Sequence, residues 1–279
     1  PLAPRPLPLP ARAPRYSPTA PLPGHVVTKP RVLIMHANGT NRDREAALAC
    51  ELAGAQPEIV HINQLLAGER RLLDYSMIVL PGGFSYGDDL GAGVLWAAEL
   101  RLRLGEDLAN FAATQRPILG ICNGFQALVK TGLLPSGQLT AHRTATLTNN
   151  ASGHFECRWV YLQPNTTSPC VFTQGLNELI YCPVAHGEGR FISDAAQLDP
   201  NRVALTYVDL VDAEISYPAN PNGSVLNIAG ICNATGNVLG LMPHPEDHVF
   251  FWQHPRWRRG EAGLIGLRLF EEGVRYAQC

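Results

Sequence analysis

A cysteine, a histidine and a glutamate stand far apart in this chain in settings that would let them work together. Cys122 lies within Gly120-Ile121-Cys122-Asn123-Gly124. The apolar run Pro117-Ile118-Leu119 precedes it, and the helix-compatible run Phe125-Gln126-Ala127-Leu128-Val129-Lys130 follows, stopped by Thr131-Gly132. Strand, tight turn and helix with a thiol on the turn is the cysteine form of the nucleophile elbow. The glycines let the backbone bend sharply and leave room for a substrate carbonyl. A thiol at a helix N-terminus also feels the positive end of the dipole, which favours the thiolate.

His244-Pro245-Glu246 supplies the complement. Proline pushes the residue before it into an extended conformation, and in an extended segment residues two apart share a face. His244 and Glu246 are therefore expected side by side. The carboxylate would orient the ring and stabilise the imidazolium while the other ring nitrogen faces the thiol. Cys122 as nucleophile, His244 as base and Glu246 as orienter make a catalytic triad. Pro81-Gly82-Gly83-Phe84-Ser85-Tyr86-Gly87-Asp88 follows another strand. Its paired glycines expose backbone N–H groups, so Gly83 is the expected second donor of an oxyanion hole, the first being the N–H of Asn123. Neither a G-x-G-x-x-G run nor a lysine-bearing phosphate loop is present, which argues against a nucleotide site.

The elements that must position these residues alternate. Arg31 to Met35 reads as a strand, Asp43 to Leu52 as a helix, Glu58 to Ile62 as a strand and Ser76 to Leu80 as another. Val94 to Thr114 reads as one long helix before the strand into Cys122. This alternation predicts an α/β fold, a doubly wound, mostly parallel, flavodoxin-like sheet with right-handed crossovers. From residue 140 the pattern changes. Ala141 to Thr148, Phe155 to Leu162, Leu179 to Val184, Val203 to Val208, Val225 to Cys232 and Val238 to Met242 read as strands separated by glycine, asparagine and proline. They should add antiparallel strands, and Gly263 to Ala277 should close the chain as an amphipathic helix.

Composition excludes several classes. The chain has 279 residues, 46% hydrophobic and 16% charged, with formal net charge -2. That is ordinary globular composition, with nothing to attract nucleic acid or an acidic membrane surface. No apolar run approaches the ~18 residues of a membrane span. The seven cysteines are odd in number and include no C-x-x-C pair, which argues against a disulfide framework and against a zinc site of the usual spacing. A reducing cytoplasm is the expected compartment. Residues 1–30 hold ten of the 23 prolines, four basic residues and no acid. They read as a disordered proline-rich segment ahead of a domain over 31–279.

Several segments carry a resemblance to a family. The chain resembles the class I (triad) glutamine amidotransferases, and more narrowly the glutaminase subunits of phosphoribosylformylglycinamidine synthase in purine biosynthesis. Gly39 to Glu45, Pro81 to Asp88, Gly120 to Gln126, Asn149 to Trp159, His186-Gly187-Glu188-Gly189-Arg190-Phe191, Asn220 to Ser224 and Met242 to Glu246 are similar to that family's signatures. Asp89-Leu90-Gly91 departs from the common bacterial pattern, where an aromatic and an arginine stand. The resemblance implies hydrolysis of L-glutamine to glutamate and ammonia through a thioester on Cys122. The ammonia would pass to a synthetase subunit, with a small accessory subunit in the complex. ATP and magnesium would bind that synthetase; this chain would carry no metal and no cofactor. Gln126, one turn into the elbow helix, is a candidate for holding the substrate or for helix packing, and Phe84 is a further substrate-binding candidate. His186, Glu188 and Arg190 read either as a loop coupling the site to the partner or as a solvated turn. Rival readings are the glutaminase of another synthetase, of GMP or CTP type, and a non-enzymatic redox or chaperone member of the same fold.

Overall fold

A computed structural model describes residues 29–194, 198–212 and 214–278. The proline-rich segment expected over 1–30 falls, as far as residue 28, outside the described residues, as does Cys279. In chain order the elements are β1 (Arg31–His36), α1 (Asp43–Leu52), β2 (Gln56–His61), α2 (Ile62–Leu66), β3 (Met77–Leu80), α3 (Val94–Arg103), α4 (Gly105–Ala113), β4 (Ile118–Ile121), α5 (Asn123–Thr131) and the short turn α6 (Leu133–Ser136). There follow β5 (Ala145–Thr148), β6 (Glu156–Pro164), β7 (Ile180–His186), β8 (Arg190–Ser193), β9 (Val203–Val208), β10 (Ile228–Cys232), β11 (Val238–Leu241) and α7 (Leu267–Tyr276).

Nine strands form one sheet in the order β2-β1-β3-β4-β11-β10-β9-β6-β7. The first five are parallel. The remaining four pairings are antiparallel, as the change of pattern after residue 140 predicts. β3, β4 and β11 are apolar and buried along their whole length, as strands covered on both faces must be. The order places the nucleophile's strand between the other two: Gly120 of β4 registers with Leu80 of β3 on one side and Gly240 of β11 on the other. All three run the same way, so residues 81–83, 122 and 242–244 emerge together at their carboxyl ends. That is where open α/β sheets bind ligands.

Five expectations differ. The strand expected from Ala141 starts at Ala145, and the helix expected from Gly263 starts at Leu267. The helix drawn from Val94 to Thr114 is two helices, broken where Leu104 turns to φ -119 and Gly105 begins α4. Glycine inside a helix costs about 1 kcal/mol, and the break lets Leu100, Leu104 and Leu108 all reach the core. Residues 225–227 form a short 3-10 turn ahead of β10 rather than its first residues, with Leu226 at φ 51. Arg190 and Phe191, read as the end of a polar loop over His186 to Phe191, open β8, which pairs with β5 in a separate two-stranded sheet.

Candidate active site

The elbow forms, although its strain sits elsewhere than the glycines suggest. Cys122 itself takes φ 49 and ψ -104 between β4 and α5, a conformation that costs a non-glycine residue roughly 1–3 kcal/mol and is kept where structure enforces it. Its N–H is held by the Leu241 carbonyl at 2.8 Å. Gly120 and Gly124 serve close approach instead of bending. A Cβ on Gly124 would stand 1.9 Å from the Leu80 carbonyl oxygen, and one on Gly120 would stand 2.9 Å from the backbone of Gly124. Helix α5 can therefore lie directly on β3 and β4. Its first N–H, that of Asn123, has no acceptor within the helix.

His244 Nδ1 lies 2.7 Å from Glu246 Oε1, both side chains being buried. Their contact is closed by a 3-10 turn over Pro245–Asp247, not by the extended geometry that residues two apart would share in a strand. The His244 N–H is anchored to the Pro183 carbonyl of β7 at 2.8 Å. Burial pushes the His244 pKa down, but the charges of Glu246 and Cys122 outweigh it and hold the imidazole well above its usual 6.5. Its Nε2 is buried without a hydrogen-bond partner, and it is the ring nitrogen left for the thiol once Nδ1 engages Glu246. The thiol meets the Ala185 carbonyl at 3.7 Å. Asp247 extends the pair outward, its Oδ2 3.5 Å from Arg42. Burial and the charge of Glu246 raise its carboxyl to about 6.

A cleft of about 310 Å³ opens at Cys122. Gly83, Phe84, Gln126, His186 and Glu188 line it, as do Asp88, Ala92 and Ala185. The Gly82 carbonyl accepts from the Asn41 and Arg42 N–H groups. Because the two dipoles of a trans peptide point oppositely, the Gly83 N–H is directed away from that loop. Gly83 has φ 149, and a Cβ there would strike the backbone of Thr40 and Asn41 within 2.8 Å. Phe84 is half exposed at the rim, where it stacks on Phe155 with ring centroids 6.5 Å apart. Gln126 is tied on both sides: its Oε1 accepts from Asn123 Nδ2 at 3.0 Å, and its Nε2 donates to the Glu188 carbonyl at 2.8 Å.

The segment read as a flexible polar loop is an ordered wall of this cleft. His186 ends β7 with its ring inside, Nδ1 lying 3.1 Å from Asn150 Oδ1 and Nε2 3.5 Å from Asn222 Nδ2. Burial, with the nearby His244, drives its pKa down to about 3, so the ring is neutral. Asn150 also accepts from the Gly189 N–H at 3.0 Å. Arg190 lies on β8 and donates to the Gly223 carbonyl at 3.2 Å. Thus His186 faces the interior, Glu188 the cleft and Arg190 a neighbouring loop. Asn150, Asn220, Asn222 and Ser224, which fasten these segments to one another, were not singled out from sequence. Their signal was the presence of asparagine and serine inside two of the quoted signatures.

The model of the CobB/CobQ-like glutamine amidotransferase domain matches residues 29–277. The phosphoribosylformylglycinamidine synthase subunit PurQ of Treponema denticola is 46% identical over 269 residues, covering 89% of this chain and 99% of that protein. The subunit of the same name from Dehalococcoides mccartyi is 48% identical over 257 residues, covering 90% and 99%. Among solved structures, a chain of PurLQS from Thermotoga maritima superposes with a TM-score of 0.70 at 36% identity, covering 89% of this chain and 99% of that one. With its thiol elbow, its buried histidine–glutamate pair and these identities across nearly the whole described length, the chain belongs to the glutamine amidotransferases and, among them, to the family of phosphoribosylformylglycinamidine synthase PurQ subunits.

Proposed function

We propose that Cys122, His244 and Glu246 carry out the glutaminase half-reaction of phosphoribosylformylglycinamidine synthase. The observation that carries this is the strained Cys122 at a cleft floor beside a buried His244 whose Nδ1 is engaged by Glu246 at 2.7 Å. Cys122 gives its proton to His244 Nε2 and attacks the side-chain amide carbon of glutamine as the thiolate, forming the C–S bond as the carbonyl π bond opens. The carbonyl oxygen becomes an oxyanion in reach of the Gly83 and Asn123 N–H groups, whose orientation supports that role. His244, held protonated by Glu246, gives its proton to the departing nitrogen, and ammonia leaves a glutamyl thioester. The ring then takes a proton from water, hydroxide adds to the thioester, and glutamate and the thiol are released. Gln126 and Phe84 shape the substrate's end of the cleft, Gln126 through the network that fixes Glu188.

PurLQS, which contains a related chain, supports a synthetase and a small accessory subunit as partners. The synthetase uses the ammonia to make formylglycinamidine ribonucleotide and carries the ATP and magnesium. This chain forms a glutaminase domain over residues 31–279 and holds no metal of its own. His244, Glu246 and Asp247 offer ligand atoms within 4.8 Å of one another, but in this reading those atoms serve proton transfer. Among the described residues no helix is long and apolar enough to cross a membrane; the cysteine usage, odd in number and without a C-x-x-C pair, is what favours the cytoplasm. The 186–190 segment couples the cleft to the partner through Glu188 and Arg190, with His186 as its internal anchor. The identities to PurQ subunits disfavour a GMP- or CTP-type synthetase as partner, and the intact triad disfavours a non-enzymatic role.

Cys122→Ala tests the reading. The variant, reconstituted with the synthetase, should lose glutamine-dependent synthesis and keep ammonia-dependent synthesis, because only the first half-reaction uses the thiol. Glutamine hydrolysis retained in the variant would overturn it.

A further inference from the structure

The turn that closes His244 onto Glu246 ends in a further acid. Asp247 is its last residue, and the Asp247 N–H donates to the His244 carbonyl at 3.2 Å. One oxygen of each carboxylate and one ring nitrogen of His244 lie within 4.8 Å of one another. Acids this close compete to stay ionised. Glu246 must be the one that does, because its carboxylate accepts from His244 Nδ1 and stabilises the imidazolium. The other Glu246 oxygen is buried with no hydrogen-bond partner, which leaves Glu246 without a second donor to steady its charge.

Arg42 meets this crowding from a distant part of the chain. Its Nη2 lies 3.5 Å from Asp247 Oδ2 and its Nη1 3.5 Å from Glu45. Among the described residues no other lysine or arginine is within 4.0 Å of Asp247. Burial and the charge of Glu246 push the Asp247 carboxyl up to about 6; His244 and Arg42 pull it down, and Glu45 pushes it up. The buried Cys182, which feels both Glu246 and Asp247, stays a thiol. Arg42 also holds the other side of the ring. Its N–H donates to the Gly82 carbonyl at 3.2 Å, and its Cγ would stand 3.4 Å from a Cβ on Gly82. Gly82 packs on the ring edge, where that Cβ would stand 2.7 Å from His244 Cε1. Gly82 and the Pro245–Asp247 turn thus flank the imidazole, and one residue touches both.

Taking Cys122, His244 and Glu246 as the triad of the glutaminase reading, we infer that Arg42 is a positioning residue for it: through its ion pair with Asp247 and its hold on Gly82, Arg42 fixes the two walls between which the His244 ring is kept. The cleft at Cys122 is lined without Arg42, so its effect falls on kcat and not on glutamine binding. The ion pair exists only while Asp247 is ionised. As pH falls through about 6, Asp247 takes up a proton, the pair loosens and the rate falls. Without the guanidinium, a charge that pulls Asp247 down is gone, so the same loss sets in at higher pH. A displacement of the base by about 1 Å costs on the order of 10²-fold. A partly exposed pair at 3.5 Å holds less than that.

The test measures glutamine hydrolysis across the acid and neutral range, using the chain reconstituted with its synthetase. Wild type is compared with Arg42→Lys, Arg42→Met, Asp247→Asn and the Arg42→Met/Asp247→Asn double variant. At neutral pH Arg42→Met should lose about 10-fold in kcat with KM within about twofold, and its acid limb should move to higher pH. Arg42→Lys keeps the charge and should keep the limb near about 6. Asp247→Asn should lose the limb. The double variant should be no slower than Arg42→Met alone, because both changes break one pair. Circular dichroism identifies a variant that fails to fold, and Arg42→Lys with Asp247→Asn then still reads the limb. Wild-type kcat in Arg42→Met, a loss carried by KM, or losses that multiply in the double variant would overturn the positioning role. An acid limb of kcat that stays in place in both Arg42→Met and Asp247→Asn would overturn it as well. Absence of glutamine hydrolysis in the wild-type complex would instead overturn the glutaminase reading, a separate outcome.

Discussion

Gly82 and His244 touch across the site with no room for a side chain between them. A Cβ on Gly82 would stand 2.7 Å from His244 Cε1 and 3.4 Å from the Arg42 side chain. The backbone that leads to Gly83 thereby forms one wall of the base's cage. Gly82→Ala should leave the fold intact and displace the ring, and a misplacement of about 1 Å costs on the order of 10²-fold in rate. Steady-state glutaminase kinetics with circular dichroism on the same sample checks this. Full activity in Gly82→Ala would show that the ring has slack.

Gly124 makes a harder contact, because the atom it meets is backbone. The Leu80 carbonyl oxygen would be 1.9 Å from a Cβ there. Gly124→Ala must push α5 off β3, a core overpacking of about 3 kcal/mol or more. Thermal or urea unfolding should show it, alongside loss of activity from the shifted Cys122. Gly54→Ala is the comparison: no atom lies within 4 Å of its Cβ, although Gly54 has φ 94, so only backbone strain acts there.

The buried pair sets a pH signature. His244 is held well above its usual pKa in the folded chain by Glu246 and Cys122. A base raised on folding stabilises fully below its unfolded pKa, and that stabilisation is lost as pH rises through the folded value. Glu246→Gln should therefore lower the melting temperature most near and below neutrality, with the gap to wild type closing as pH rises. Nitrogen NMR should find His244 protonated at pH 7 in wild type and neutral in the variant, where burial prevails. Glutaminase turnover should fall by up to about 10⁴-fold, less than in His244→Ala, since the nucleophile and oxyanion donors remain.

Asp88 adds a second pH dependence, carried by KM. Its carboxyl, raised to about 6 by burial and Glu188, is partly offset by Lys130, the Asn123 amide and the Gly93 N–H. Asp88 lines the cleft at Cys122, so its protonation removes a charge and a hydrogen-bond acceptor for Asn123 there, and KM for glutamine should rise as pH falls through about 6. Asp88→Asn should flatten that limb, while kcat keeps its wild-type shape. An unchanged limb in the variant would assign it to another group.

Much of the site was legible because its chemistry lies where strands end. Cys122 and His244 follow apolar runs too short to be helices, and the glycines around Cys122 permit one tight helix–strand packing. Other features depend on tertiary contacts that periodicity does not report. The contact of His244 with Glu246 is closed by a 3-10 turn that reads in sequence only as a proline after a histidine. Arg190 and Phe191, after a glycine, look like the end of a loop until β5 supplies a partner. His186 looks like a solvated histidine, yet Asn150 and Asn222 satisfy it inside. Polar residues that hydrogen-bond one another in the core carry the same composition signal as a surface turn.

The most direct measurement is which cysteine a glutamine-shaped electrophile labels. Cys157 is the exposed thiol among the described cysteines, whereas Cys122 is buried at the cleft floor. Plain accessibility would favour Cys157. Treatment of the complex with an electrophilic glutamine analogue, followed by peptide mass spectrometry, should find one adduct, on Cys122, suppressed by excess L-glutamine and absent in His244→Ala on the same time scale. Labelling of Cys157 with Cys122 untouched, or labelling of Cys122 that glutamine does not suppress, would contradict the assignment of Cys122 as the nucleophile of a glutaminase.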